Sequence, residues 1–236
     1  MVVSKTHLIT ENNIATVATI SNEVSYQTYL ITRNSYDNNL EELIPDLETM
    51  HEEEENNSVM NLIKNIKEKS FKGWASVAKN FNGEIVSCAA LERDEKYSGD
   101  NISARFCRYY KQKKFRKVKY NLYKYLNTYA RICKSANIDV MYFTIFNPRV
   151  IADIRNPRSA SMYDRYTTAG SIRDFKERDD ILFKVDDHCI QRVFTYDFTP
   201  DTKWSPTGMF IPMPEEGFSD EKLQEMYDAQ VARGQV

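Results

Sequence analysis

Histidine is scarce in this chain. His7, His51 and His188 are the only three, and none has a partner at ligand spacing. The four cysteines, Cys88, Cys107, Cys133 and Cys189, form no C-x-x-C pair. Together these shortages exclude a zinc site or a dithiol redox pair on sequence grounds, so no metal is expected. Long apolar runs are missing too. None approaches the roughly 20 residues that a helix needs to cross a bilayer, so no membrane partner is expected. The opening Met1-Val-Val-Ser-Lys has no apolar segment of the kind a secretory signal carries. A cytoplasmic protein with reduced, structural thiols is the reading that follows.

What is present suffices for a real core. Of 236 residues, 42% are hydrophobic and 12% aromatic, which argues against global disorder and for one sizeable domain with appendages, or at most two small ones. The net charge of −2 hides strong segregation. Between Asn101 and Ile138 stand eleven Lys or Arg and no acid, so that segment is +11 and the rest −13. From Asp37 to Glu55 there are nine acids and no Lys or Arg. Such asymmetry marks where anions are welcome and where they are not.

Periodicity divides the chain at about residues 26 and 199. Residues 1–25 read as an arm or weak leading strand, 26–198 as the main domain, and 199–236 as a proline-rich segment with a helical tail. Tyr26–Asn34 alternates as a strand. Leu40, Leu43, Ile44, Leu47 and Met50 fall at helical spacing, with Pro45 marking a break or late start. Asn57-Ser58 is the expected cap of a helix over Val59–Ser70, with Met60, Ile63 and Ile66 on its apolar face. Trp74–Lys79 and Glu84–Leu91 flank Asn80-Phe81-Asn82-Gly83, a hairpin signal. Ser103–Tyr110 reads as a third strand, with Ile102, Ala104, Phe106 and Arg108 opposite Ser103, Arg105 and Cys107.

Tyr120–Ser135 carries an apolar stripe of Leu122, Tyr125, Leu126, Tyr129 and Cys133, with Asn137 at the C-terminal cap position. Val140–Phe146 is apolar almost throughout, as befits a strand covered on both faces. A helix between two such strands predicts that they lie parallel. Ser159–Ala169 reads as a short helix, and Ile181–Val185 with Cys189–Phe198 as a last hairpin. Pro200, Pro206, Pro212 and Pro214 discourage regular pairing. Ser219 caps a polar helix running to Arg233.

This order of elements, and the arrangement over residues 105–147, resembles the GCN5-related N-acetyltransferase (GNAT) superfamily. The resemblance covers roughly Tyr26 to Phe198 and rests on element order more than on motif identity. It implies an α+β (three-layer, GNAT-like) fold, with a mixed, mostly antiparallel sheet of about six to seven strands flanked by helices. It also implies acetyl-CoA or another acyl-CoA as co-substrate. The donor's pantetheine arm would pair with Phe106, Cys107 and Arg108. Its pyrophosphate would sit where the next helix begins, on unpaired N–H groups and the positive end of the helix dipole.

The family's loop reads R/Q-x-x-G-x-G/A. Here the best match is Arg116-Lys117-Val118-Lys119-Tyr120-Asn121: Arg116 fits the first position, while Lys119 and Asn121 stand where glycines are usual. Asn tolerates left-handed geometry better than most residues. Lys113, Lys114, Lys117 and Lys119 supply charge instead. The plain alternative for these cations is a solvated basic face.

The resemblance further implies a tyrosine acid that protonates the leaving thiolate. Asn156-x-x-Ser159-x-x-x-Tyr163 matches one half of the family's pattern and Tyr166-Thr-Thr-Ala-Gly170 the other, so the acid is Tyr163 or Tyr166. Asn147, followed by Pro148, competes for the family's asparagine. Glu92, with Asp94 beside it, is placed to take the amine proton; a charged residue at a strand end is otherwise simply solvated. The Asp37–Glu55 acids would border a cationic acceptor, a small-molecule or protein amine, or else form a solvated helix face.

Two other functions compete with an N-acyltransferase. One is a nucleic-acid-binding module, because Arg105–Lys117 interleaves cations with aromatics. The other is a catalytically inactive protein of this fold serving in an assembly.

Overall fold

The computed structural model describes residues 28–94, 102–115, 121–156, 175–198 and 204–234. The expected helix over 159–169, with Tyr163 and Tyr166, lies outside the described residues, as do Arg116, Lys117, Val118, Lys119 and Tyr120. The chain divides into two compact units: Met1–Arg93 with Phe106–Ile132, and Asp94–Arg105 with Cys133–Val236.

In the first unit β1 (Thr28–Asn34), β2 (Gly73–Asn80), β3 (Ile85–Asp94) and the latter part of β4 (Ser103–Lys111) lie in that order. β1 pairs antiparallel with β2, and β2 with β3. The β2–β3 hairpin closes as expected on Asn80 and Gly83: Asn80 N–H donates to Glu84 O at 3.0 Å, and Gly83 takes a φ of +82°. Gly73 is required at the other end of β2. At its φ of +142° a Cβ would lie 2.1 Å from Leu91 O, so only glycine lets the two strands meet there.

Helices cover both faces of this part of the sheet. A 3-10 turn at Leu40–Leu43 leads into α1 (Ile44–Glu54), with Pro45 in the first turn, where its missing N–H is harmless. α2 (Asn57–Lys67) is capped by Asn56, whose side chain accepts from Ser58 and Val59 N–H, one residue earlier than the sequence suggests. Its buried residues are Val59, Leu62, Ile63 and Ile66, while Met60 is 45% exposed and off the expected face. These side chains join Leu47, Met50, Ala75, Val77, Cys88 and Ala90 in one apolar cluster. α3 (Asn121–Ser135) lies on the opposite face, with Tyr125 and Tyr129 fully buried.

In the second unit the first residues of β4 pair parallel with β5 (Val140–Ile145), as the intervening helix requires. β5 then pairs antiparallel with β7 (Cys189–Asp197), β7 with β6 (Lys176–Asp186), and β6 with β8 (Phe210–Pro212). The described strands therefore number eight, against the six or seven expected. β8 is the addition. Pro212 opposite Ile181 ends a three-residue edge strand, where proline's missing donor does no harm. A helix that the sequence reading missed, α4 (Pro148–Arg155), follows β5, and α5 (Asp220–Ala232) is capped by Ser219 as foreseen. Asn137, at φ +53°, ends α3 with Ile138 N–H on Cys133 O.

Candidate functional site

The residues expected to bind an acyl donor begin on β4, and their local geometry departs from a plain strand. Up to Cys107 the side chains alternate as the sequence predicts. Phe106 packs against Tyr129 of α3, at 5.8 Å between ring centroids. Cys107 joins the α1–α2 cluster on the other face. Two residues further on, strict alternation would keep Tyr109 with Cys107. Instead Tyr109 lies 5.8 Å from Tyr125 on the α3 side, and Tyr110 joins the α1–α2 cluster. One residue has been absorbed without advancing the alternation, and it is Arg108, with a φ of +56°. A non-glycine residue held there costs roughly 1–2 kcal/mol, and the resulting bulge re-aims everything after it. The Cys88 thiol donates to Arg108 O at 3.7 Å, and burial pushes that thiol's pKa up to about 12, so it is no nucleophile.

The ladder of β4 with β5 comprises Ser103, Ala104 and Arg105 against Val140, Met141 and Tyr142, whereas β4 runs on to Lys111. Beyond it a 3-10 turn, Lys113–Phe115, exposes Lys113 and Lys114. α3 then starts at Asn121 with no acidic residue in its first turn. That first turn itself contributes no carboxylate to repel an anion.

α3 is seated more deeply than its stripe suggests. Tyr125 hydroxyl shares a hydrogen bond with Ser87 Oγ at 2.9 Å. Tyr129 hydroxyl donates its proton to Ala89 O and shares a second hydrogen bond with Ser76 Oγ, each at 2.9 Å. Ser76 Oγ in turn meets Thr32 Oγ1 at 2.8 Å. Lys124, Asn127 and Thr128, which a one-stripe helix would leave wet, are also buried. Lys124 Nζ donates to Thr28 Oγ1 at 2.8 Å and Thr28 O at 3.1 Å, and burial lowers its pKa to about 8. Nothing in the helical period singles out Lys124. Only the position of β1 makes it a buried ammonium.

Glu92, the expected base, is half-buried on β3 and directly opposite Gly73; the Cys107 thiol points to its Oε2 at 3.9 Å. Asp94 is buried and accepts a short hydrogen bond from the Tyr142 hydroxyl, in the second unit. Asn147 is also in the second unit and has a structural task. Its Oδ1 accepts from Arg149 N–H at 3.0 Å, capping α4, and its Nδ2 donates to Tyr227 hydroxyl at 3.1 Å. Asn followed by Pro is the signature of a helix start, and that signal at Asn147-Pro148 would have found α4.

The acidic run is largely spoken for. Glu42 pairs with Arg33, Asp46 with Lys79 and Glu48 with Lys67. Glu53 and Glu54 meet the end of β4. Among the described residues no group of three His, Cys, Asp or Glu gathers as a metal site would require. No helix among them is long and apolar enough to cross a membrane.

No family model matches the chain, and no curated protein matches it. Solved structures do. A GNAT-family acetyltransferase from Staphylococcus aureus Mu50 is 19% identical, over 73% of this chain and 99% of that one, at a TM-score of 0.44. An acyl-CoA N-acyltransferase from Pseudomonas aeruginosa is 11% identical, over 72% and 99%, at 0.41. The spermidine/spermine N-acetyltransferase SpeG of Vibrio cholerae is 14% identical, over 71% and 92%, at 0.43. Likeness at this level assigns no residue here a role. Over 71–73% of its length the chain is similar to these acetyltransferases.

Proposed function

We propose that this chain is an acyl-CoA-dependent N-acyltransferase acting on a primary amine. The observation that carries the reading is the bulge at Arg108. It lies on a strand that outruns its parallel ladder and leads, through a basic turn, to a helix start free of acids. A strand bent there offers backbone groups to the amide-bearing arm of the donor. Phe106, Cys107 and Arg108 would bind that arm, and Arg116–Asn121 the diphosphate.

In the reaction the amine nitrogen forms a bond to the thioester carbonyl carbon and the C–S bond breaks. Glu92 takes the amine proton, directly or through water, and Tyr163 or Tyr166 returns a proton to the thiolate. The acceptor is a small amine or a lysine side chain.

The nucleic-acid alternative loses support at the same residues. Base stacking needs rings open to solvent, whereas Phe106 is buried against Tyr129 and the half-buried Tyr109 packs on Tyr125.

Thermal unfolding with and without acetyl-CoA is the first test, and a higher midpoint is expected. Glu92→Gln should then lower kcat. One of Tyr163→Phe and Tyr166→Phe should do so as well, by about 100-fold for a general acid. No stabilisation by any acyl-CoA would end the proposal.

A further inference from the structure

The last turn of α1 breaks two local rules at once. Glu52, Glu53 and Glu54 crowd the negative end of the helix, where carboxylates are disfavoured. Glu55 then takes a left-handed φ of +45°, a conformation usually left to glycine or asparagine. Local costs of this kind persist where tertiary contacts over-determine them.

Those contacts are specific. Glu54 Oε1 accepts the backbone N–H of Lys113 at 2.7 Å, and Glu54 Oε2 accepts a short hydrogen bond from the Tyr110 hydroxyl. Glu53 Oε2 accepts from Gln112 Nε2 at 2.5 Å and lies 3.1 Å from Lys114 Nζ. Two adjacent carboxylates thus grip four of the five residues from Tyr110 to Lys114. The grip depends on the bulge at Arg108, because without it Tyr110 would face α3 and not α1.

We infer that Glu54, supported by Glu53, is a positioning residue for the acyl donor. It fixes the backbone at the end of β4 and the start of the basic turn, and so decides where the ammonium groups of Lys113 and Lys114 stand for a diphosphate. Glu54 touches no reacting atom. The inference rests on the acyltransferase reading and adds to it the element that holds the phosphate-facing segment. It also gives the acids at the end of α1 a task other than attracting a cationic acceptor.

Steady-state kinetics with acetyl-CoA as the varied substrate test it, alongside hydrogen exchange at the Lys113 amide. Glu54→Ala is expected to raise KM for acetyl-CoA about tenfold, with kcat within about twofold and the amine KM unmoved. Glu54→Gln keeps an acceptor for Lys113 N–H and should stay within about threefold of the parent. Tyr110→Phe, which removes only the phenol contact, should fall between the two. Faster exchange at Lys113 in Glu54→Ala, with an unchanged KM for acetyl-CoA, would overturn the inference while leaving the acyltransferase standing. A fall in kcat, or losses in all three variants that merely follow their melting temperatures, would overturn it as well. If the parent protein binds no acyl-CoA, the reading beneath it falls too, and the Lys113 amide alone then reports on the grip.

Discussion

Helices α3 and α5 are each fastened to their own unit, by opposite chemistry. α3 is held through neutral groups in the interior. Tyr125 and Tyr129 lay their rings against the sheet and their hydroxyls on Ser87, Ser76 and Ala89, all out of reach of water. α5 is held by ions nearer the surface. Asp220 in its first turn meets Arg155 at 2.5 Å and Arg192 at 3.3 Å, and both arginines also engage Glu177. Its apolar anchorage is smaller, with Leu223 buried and Tyr227 5.6 Å from Phe146. Buried neutral hydrogen bonds are costly to break and insensitive to salt. Part-exposed ion pairs are worth little singly and are screened. The helix that leads out of the candidate donor segment is therefore the one set rigidly, and the C-terminal helix the one that conditions can loosen.

The comparison fails if α3 tolerates damage. Tyr129→Ala removes a fully buried ring together with its two hydroxyl contacts, and should destabilise the protein by about 3–5 kcal/mol in urea titration. Tyr129→Phe keeps the ring and leaves Ser76 and Ala89 short of a partner, for about 1–2 kcal/mol. Equal effects of the two variants would mean that the hydroxyl, not the ring, holds the helix.

Among the described residues of α3, Lys124 is a buried charge, and it makes the stability of the α3 seat depend on pH. Burial lowers its pKa from 10.5 to about 8, so the folded state disfavours the ammonium form. Between those two values the unfolded chain holds the proton that the folded chain has released. Stability should therefore rise with pH across the window, by up to about 3 kcal/mol. Lys124→Met should flatten that rise and be neutral or stabilising at pH 7. A parent profile that falls over the same window would contradict this account of the buried ammonium.

The smallest effects belong to α5. The hydrogen bond from Arg155 holds the Asp220 carboxyl below the usual range. Its contribution is then present above the unfolded value, near 3.8, and is lost as pH drops through the folded value. The Asp220 side chain is 55% exposed, so that pair adds little, and Arg155→Ala, which also releases Glu177, should cost about 1 kcal/mol. Hydrogen exchange resolves it better than a melt does. α5 amides should exchange faster in the variant and in about 1 M salt, while α3 amides stay as they were.

Much of the fold was legible because it is written in short-range patterns. The alternation of Thr28–Asn34, the Asn-Gly of the hairpin, the stripe of α3 and the Ser219 cap each follow from spacing that a single element satisfies alone. The helix between β4 and β5 dictated their parallel pairing. Where reading failed, a neighbour had decided. Pro212 looked incompatible with pairing until β6 offered it an edge, and Met60 lost its place on the apolar face of α2 to Val59 and Leu62. Asn147, weighed as a site residue, also caps α4, so the reading missed that helix although its start signal is local.

The candidate site was legible only in outline. Its basic charge and its place before a helix are properties of the sequence, since charge and period survive any folding of the chain. The left-handed Arg108, the reach of Glu54 to Lys113 and the burial of Lys124 are not. Each joins residues distant in the chain, or depends on a bulge that no residue type announces. Such features exist only once packing has set the distances and removed the water, and those two conditions make a hydrogen bond or a buried charge matter.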